Sequence, residues 1–142
     1  MTVKEYLAQT RRINRLIDAK LEQVRVLREL AAKATSTLSP TPPSETRNVH
    51  RMEEIIAKML DLENEINLDI DRLVDLKRDI ANAIRSLNSP DYRVLLELRY
   101  LCFKTWDEIA ADFHCSVRHV HRIHDEALAA CSERVKDVTI IC

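Results

Sequence analysis

Glycine is missing from all 142 residues, and aromatic side chains make up only 4% of the chain. Without glycine the usual phosphate-cradling loop is excluded, because its backbone must approach the ligand where a Cβ would stand. Too few aromatic residues and turn formers remain for an ordinary sheet. Charge of one sign is also lacking: the formal net charge is -1, so polyanion binding would have to come from a local surface. No apolar run approaches membrane-spanning length, and the polar start MTVKEYLAQTRR has no signal-peptide core. The expectation is a cytoplasmic protein without a membrane partner. Cys102, Cys115, Cys131 and Cys142 fit neither paired zinc knuckles nor a disulfide framework, and read as reduced thiols.

What the chain has instead is charge at helical spacing, with 32% Asp, Glu, Lys and Arg. Residues 4 to about 34 predict an amphipathic helix. Tyr6, Ile13, Ile17, Val24, Leu27 and Ala31 form its stripe, and Leu7, Leu16, Leu21 and Leu30 widen it. Pro40, Pro42 and Pro43, set among Ser and Thr, predict a connector over residues 35–48. From about His50 to Leu87 the signal is the longest in the chain. Met52, Met59, Ile66, Leu73, Ile80 and Leu87 repeat at heptad intervals, and Ile56, Ile70 and Ile84 are read as the second seam, interrupted by Glu63 and Lys77. Such a helix needs a partner, either the first helix, a second copy, or both. A homodimer is the favoured assembly, because two-fold pairs are the commonest closed oligomers.

Asn88-Ser89-Pro90 ends the long helix and starts another over 90–102, with Ser89 as cap and Pro90 in the first turn. Thr105, with Glu108 three residues on, opens a short helix. Ser116 stands at a second N-cap position, and Val117, Val120, Ile123, Ala127 and Leu128 follow at helical spacing. The fold expected is all-α: a long antiparallel coiled-coil hairpin followed by a small three-helix helix-turn-helix domain. Residues 1–88 are the helical oligomerisation part, 89–135 the head and 136–142 a tail. A short helix, a tight turn and a longer helix with polar and basic side chains suit a helix that enters a DNA groove. Arg118 and Arg122 are the first candidates to reach bases or phosphates, ahead of His119 and His121. Ser116, Thr105 and Lys104 are placed at the backbone, and Arg93 and Arg99 extend that track if their surface faces DNA.

Enzyme chemistry is not expected. Asp112, His114 and Cys115 crowd one turn without an oxyanion site. His119, His121 and His124 do not converge as metal ligands, and no metal or cofactor is predicted.

The run LLELRYLCFKTWDEIAADFHCSVRHVHRIHDEALAAC resembles the C-terminal helix-turn-helix of bacterial sigma factors, their promoter −35-reading region. It looks closer still to sigma-like phage or prophage regulators of late transcription. Leu98-Arg99-Tyr100, Thr105 to Ala110, Ser116 and Arg118-His119-Val120 carry the likeness, as do His124 and Ala127-Leu128. The resemblance covers about a third of the chain. It implies sequence-specific binding of double-stranded DNA through residues 116–124, a role in transcription initiation, and bacterial RNA polymerase as a partner. By position Ser116, Arg118, His119, His121 and Arg122 match the recognition helix, and Thr105 opens the supporting helix. The sequence departs from this pattern at its turns: Phe103 and His114 stand where such proteins often carry glycine or another small residue. It also lacks a second promoter-reading segment, which favours an accessory regulator over a complete sigma factor. Two other readings remain: a small-terminase-like DNA-packaging protein of a phage, and a coiled-coil interaction module that binds no DNA.

Overall fold

The computed structural model describes residues 1–36 and 42–141, all-helical with no strand among them. Helix α1 spans Val3–Ser36 and α2 spans Pro42–Arg85. Helix α3, Pro90–Leu96, runs on into a π-helical segment, Glu97–Leu101, before α4, Trp106–Phe113, and α5, Val117–Ile141. The predicted order of a long helix pair followed by three helical segments is present. No helix of the described residues is long and apolar enough to cross a membrane.

Local chemistry explains most of the boundaries. Thr2 Oγ1 accepts from the Glu5 amide at 3.2 Å while Glu5 accepts from the Thr2 amide at 3.0 Å, a reciprocal capping box. Ser89 accepts from the Tyr92 amide ahead of α3, with Pro90 in the first turn. Two expected boundaries move. The connector predicted over 35–48 is shorter, because α2 already begins at Pro42. A proline in the first turn removes an amide that has no helical acceptor there, so Pro42 and Pro43 start the helix and do not break it. Residues 37–41, including Pro40, lie outside the described residues. Helix α5 runs to Ile141, past the end expected at Ser132–Val135 and through the predicted tail, since neither Gly nor Pro stops it.

Two compact units divide the chain: residues 14–72, and residues 1–13 together with 73–142. In the first, Ile17, Val24 and Ile66 are buried. Lys20 reaches Asp69 at 2.5 Å and Arg28 lies 3.7 Å from Glu63, so the helices run antiparallel. Asp69 is itself buried in the seam. A charge held there by Lys20 from the facing helix, with Arg72 of its own helix 4.0 Å away, favours a single register over a slipped one.

The heptad series is inward-facing, with Ile66, Leu73, Ile80 and Leu87 all buried. The second seam is left open over much of its length. Ile56 and Ile70 are 48% and 41% exposed, and only Ile84 of that set is buried. Along the middle of α2 the inner companions lie three residues on from the series, at the partly buried Leu62 and Leu76 and at Asp69. The stripe of apolar residues is wider than one seam, and a single partner helix covers only part of it.

In the second unit the core joins Leu7, Ile80, Ile84, Leu95, Leu96, Tyr100, Ile109 and Val120, with Ala127 and Cys131 from α5. The change of sequence character at residue 89 coincides with a helix break, while the packed core also takes in the start of α1 and the end of α2. That start also completes the end of the π segment, where carbonyls run out of helical donors. The Thr10 hydroxyl is fully buried and lies 2.8 Å from the Tyr100 carbonyl and 2.9 Å from that of Leu7. Arg11 donates to the Arg99 carbonyl at 3.5 Å. Thr10→Val preserves shape but removes the donor, and is expected to cost about 1–3 kcal/mol in chemical unfolding. Unchanged stability would show that the Tyr100 carbonyl needs no partner.

Candidate nucleic-acid interface

The three segments after Pro90 are joined by two turns, and each turn contains a residue with positive φ. Phe103 has φ 60° and His114 has φ 53°. These are the two positions at which the sequence departs from the sigma-like pattern. In a chain without glycine, other residues carry the left-handed conformation. At His114 the geometry is a Schellman ending to α4. The His114 amide donates to Ala111 and the Cys115 amide donates to Ala110, at 3.2 and 3.1 Å. Helix α5 then begins behind Ser116, whose Oγ accepts from the His119 amide at 3.1 Å. Thr105 does the same for Glu108 at 3.2 Å.

The candidate residues separate by what they touch. Arg118 and Arg122 are exposed and one turn apart, on one face of the first two turns of α5. Among the described residues no carboxylate holds either of them. His119 Nδ1 accepts from Arg122 at 2.7 Å, which aims the guanidinium along the helix surface. His121 is exposed, but its ring rests against Trp106 at 4.5 Å between centroids. Lys104 is bound to Asp112 at 2.7 Å, and this bond raises the pKa of the ammonium group above its ordinary value. Ser116 and Thr105 are occupied as caps. The structure therefore gathers Ser116, Arg118, His119 and Arg122 at the start of α5, and leaves Lys104 and Thr105 engaged within the head.

Trp106 gathers Arg99, His121 and His124 around its ring, a grouping that no spacing in the sequence announces. The Arg99 guanidinium lies over its ring at 4.1 Å and also donates to the Lys104 carbonyl at 3.0 Å. Arg99 thus braces the turn between the π segment and α4. His124 also meets the Trp106 ring, in an edge geometry at 4.7 Å between centroids. His124 is buried, and its Nε2 lies 2.7 Å from the Tyr100 hydroxyl. Burial pushes the imidazole pKa down to about 4. Asp125 opposes that shift, while Lys4, His121 and Arg99 add to it. No local spacing announces the Tyr100–His124 pair. The only hint is a histidine on the apolar face of α5, in line with Val120 and Ala127.

The folded chain keeps this ring neutral to about pH 4, whereas the unfolded chain takes up the proton near the ordinary value of 6.5. Stability from this group is full above pH 6.5 and is lost as pH falls toward 4, amounting to about 3 kcal/mol. Chemical unfolding followed from pH 7 to pH 4 should show a steeper loss for the native chain than for His124→Gln. Parallel curves would mean that His124 is not held neutral by the fold.

No family model, curated protein or solved structure matches the chain.

Proposed function

We propose that the chain is a sequence-specific DNA-binding transcriptional regulator. In this reading α4 supports α5, the first two turns of α5 enter the major groove, and two copies of the chain act together. The observation that carries it is the pair Arg118 and Arg122. Both are exposed at the start of a capped helix that follows a short supporting helix, and among the described residues neither has an acidic partner. The N-terminal residues of a recognition helix are those that reach base edges, and arginine holds guanine O6 and N7 bidentately. Asp125 and Glu126 are exposed on the following turns, which confines an anion-binding footprint to residues 116–122. That confinement fits a near-neutral protein that binds DNA through one small surface.

The resemblance to the sigma-factor head adds the biological role. We assign the chain to transcription initiation as an accessory regulator of phage or prophage type, with bacterial RNA polymerase as its protein partner in the bacterial cytoplasm. Fluorescence anisotropy with a labelled duplex, repeated across a salt series, tests the DNA half of this reading. Affinity should fall with rising salt, with a log–log slope near that of two to four phosphate contacts, about -2 to -4. Absence of binding at low ionic strength removes the reading and leaves a protein-interaction module. Retention of a bacterial polymerase by the immobilised chain tests the other half.

A further inference from the structure

Helix α2 carries a second seam whose apolar residues the described chain leaves largely open, α1 reaching it through Arg28 at Glu63. Ile56, Leu60, Glu63, Asn67, Ile70 and Val74 follow one another in alternating steps of four and three, the spacing that keeps a stripe turned toward a partner helix. Ile56 is 48% exposed, Leu60 55%, Ile70 41% and Val74 51%. A solvent-facing helix surface normally carries charge at such positions.

We infer that this seam is where two copies of the chain pair, α2 against α2, antiparallel about a two-fold axis midway between Glu63 and Asn67. The inference rests on the homodimer in the functional reading and supplies its interface. Its ground is that the seam reads alike from either end: two apolar residues, a carboxylate, an amide, two apolar residues. Turned end for end, Ile56 falls opposite Val74 of a second copy, Leu60 opposite Ile70, and Glu63 opposite Asn67. The one polar layer is then self-satisfying, because an Asn amide donates and a carboxylate accepts. Glu63 lies 3.7 Å from Arg28 of its own chain, and its remaining acceptor sites are free to take the amide. A parallel pairing would set Glu63 on Glu63, a like-charge layer that opposes association. One step further out, Glu53 falls opposite Lys77 of the second copy, which matches opposite charges. On the solvent flank Asn64 meets its own copy and Ala57 meets Asp71, so no like charges face each other. A foreign helix would have to reproduce this order of apolar, acidic and amide positions, whereas a second copy presents it already.

Sedimentation of the full chain at micromolar concentration tests the interface, with helicity checked by circular dichroism. The native chain should sediment as a dimer. Leu60→Lys and Ile70→Glu, each made singly, should weaken the dimer at least about 100-fold by setting an unpaired charge against an apolar partner. Together, L60K/I70E should recover it to within about tenfold of native. The introduced ammonium of one copy then meets the introduced carboxylate of the other, and does so only in the antiparallel register. A monomeric native chain overturns the inference, as does a dimer indifferent to both single changes, or a double variant no better than the singles. R118A/R122A should remain dimeric while losing DNA, and a native dimer that binds no duplex would overturn the functional reading alone.

Discussion

Leu7→Ala is expected to destabilise the head by about 2–5 kcal/mol, although residue 7 lies more than eighty positions before α3. Leu7 is fully buried in one core with Ile80, Ile84, Leu95 and Leu96. Truncating it opens a cavity among side chains from α1, α2 and α3 at once, and a bundle of helix ends has little freedom to collapse into it. For a chain of this size the loss should appear as a fall in Tm of about 10 °C. Leu16→Ala on the same helix, at a half-exposed position, is the matched control and should change stability by less than about 1 kcal/mol. A Tm unmoved by Leu7→Ala would mean that residues from 89 onward fold independently of the first helix.

The second large effect concerns binding. Removing both guanidinium groups, R118A/R122A, should weaken duplex affinity by about 100-fold or more, at about 1–3 kcal/mol per arginine. The salt slope should flatten by about one for each arginine that held a phosphate, and stay unchanged for one that read only a base. Neither residue is buried, so the variant should melt with the native chain. His119→Ala should give a smaller loss that disappears in an R122A background, because His119 acts by aiming Arg122. Equal binding by the native chain and the double variant would move the interface elsewhere on the protein.

The parts of this architecture that local chemistry decides are legible in the chain. Ser89, Thr105 and Ser116 each act as the cap their position suggested, and Met59, Ile66, Leu73 and Ile80 give the long helix away through spacing alone. Pattern cannot decide which of two adjacent apolar stripes turns inward. Ile56 and Ile66 look equivalent in sequence, and only the position of α1 distinguishes them. Long-range pairings were equally hidden: Lys20 with Asp69, Thr10 with the Tyr100 carbonyl, and Tyr100 with His124 join residues whose types say nothing of their partners. The π segment at Glu97–Leu101 also has no signature, since its residues suit an ordinary helix. At the candidate interface the residue types were readable, but which were already engaged was not. Nothing in the residue types tells that Asp112 holds Lys104 or that the His121 ring rests on Trp106.

The central claim is that the start of α5 reads a DNA sequence. Selection from a random duplex pool by the intact chain, run beside R118A/R122A, addresses it most directly. The native chain should converge on one motif, with guanines at the positions that lose preference when an arginine is removed, and the double variant should enrich nothing. Failure of the native chain to enrich any motif at low salt, or recovery of the same motif by the double variant, would contradict it.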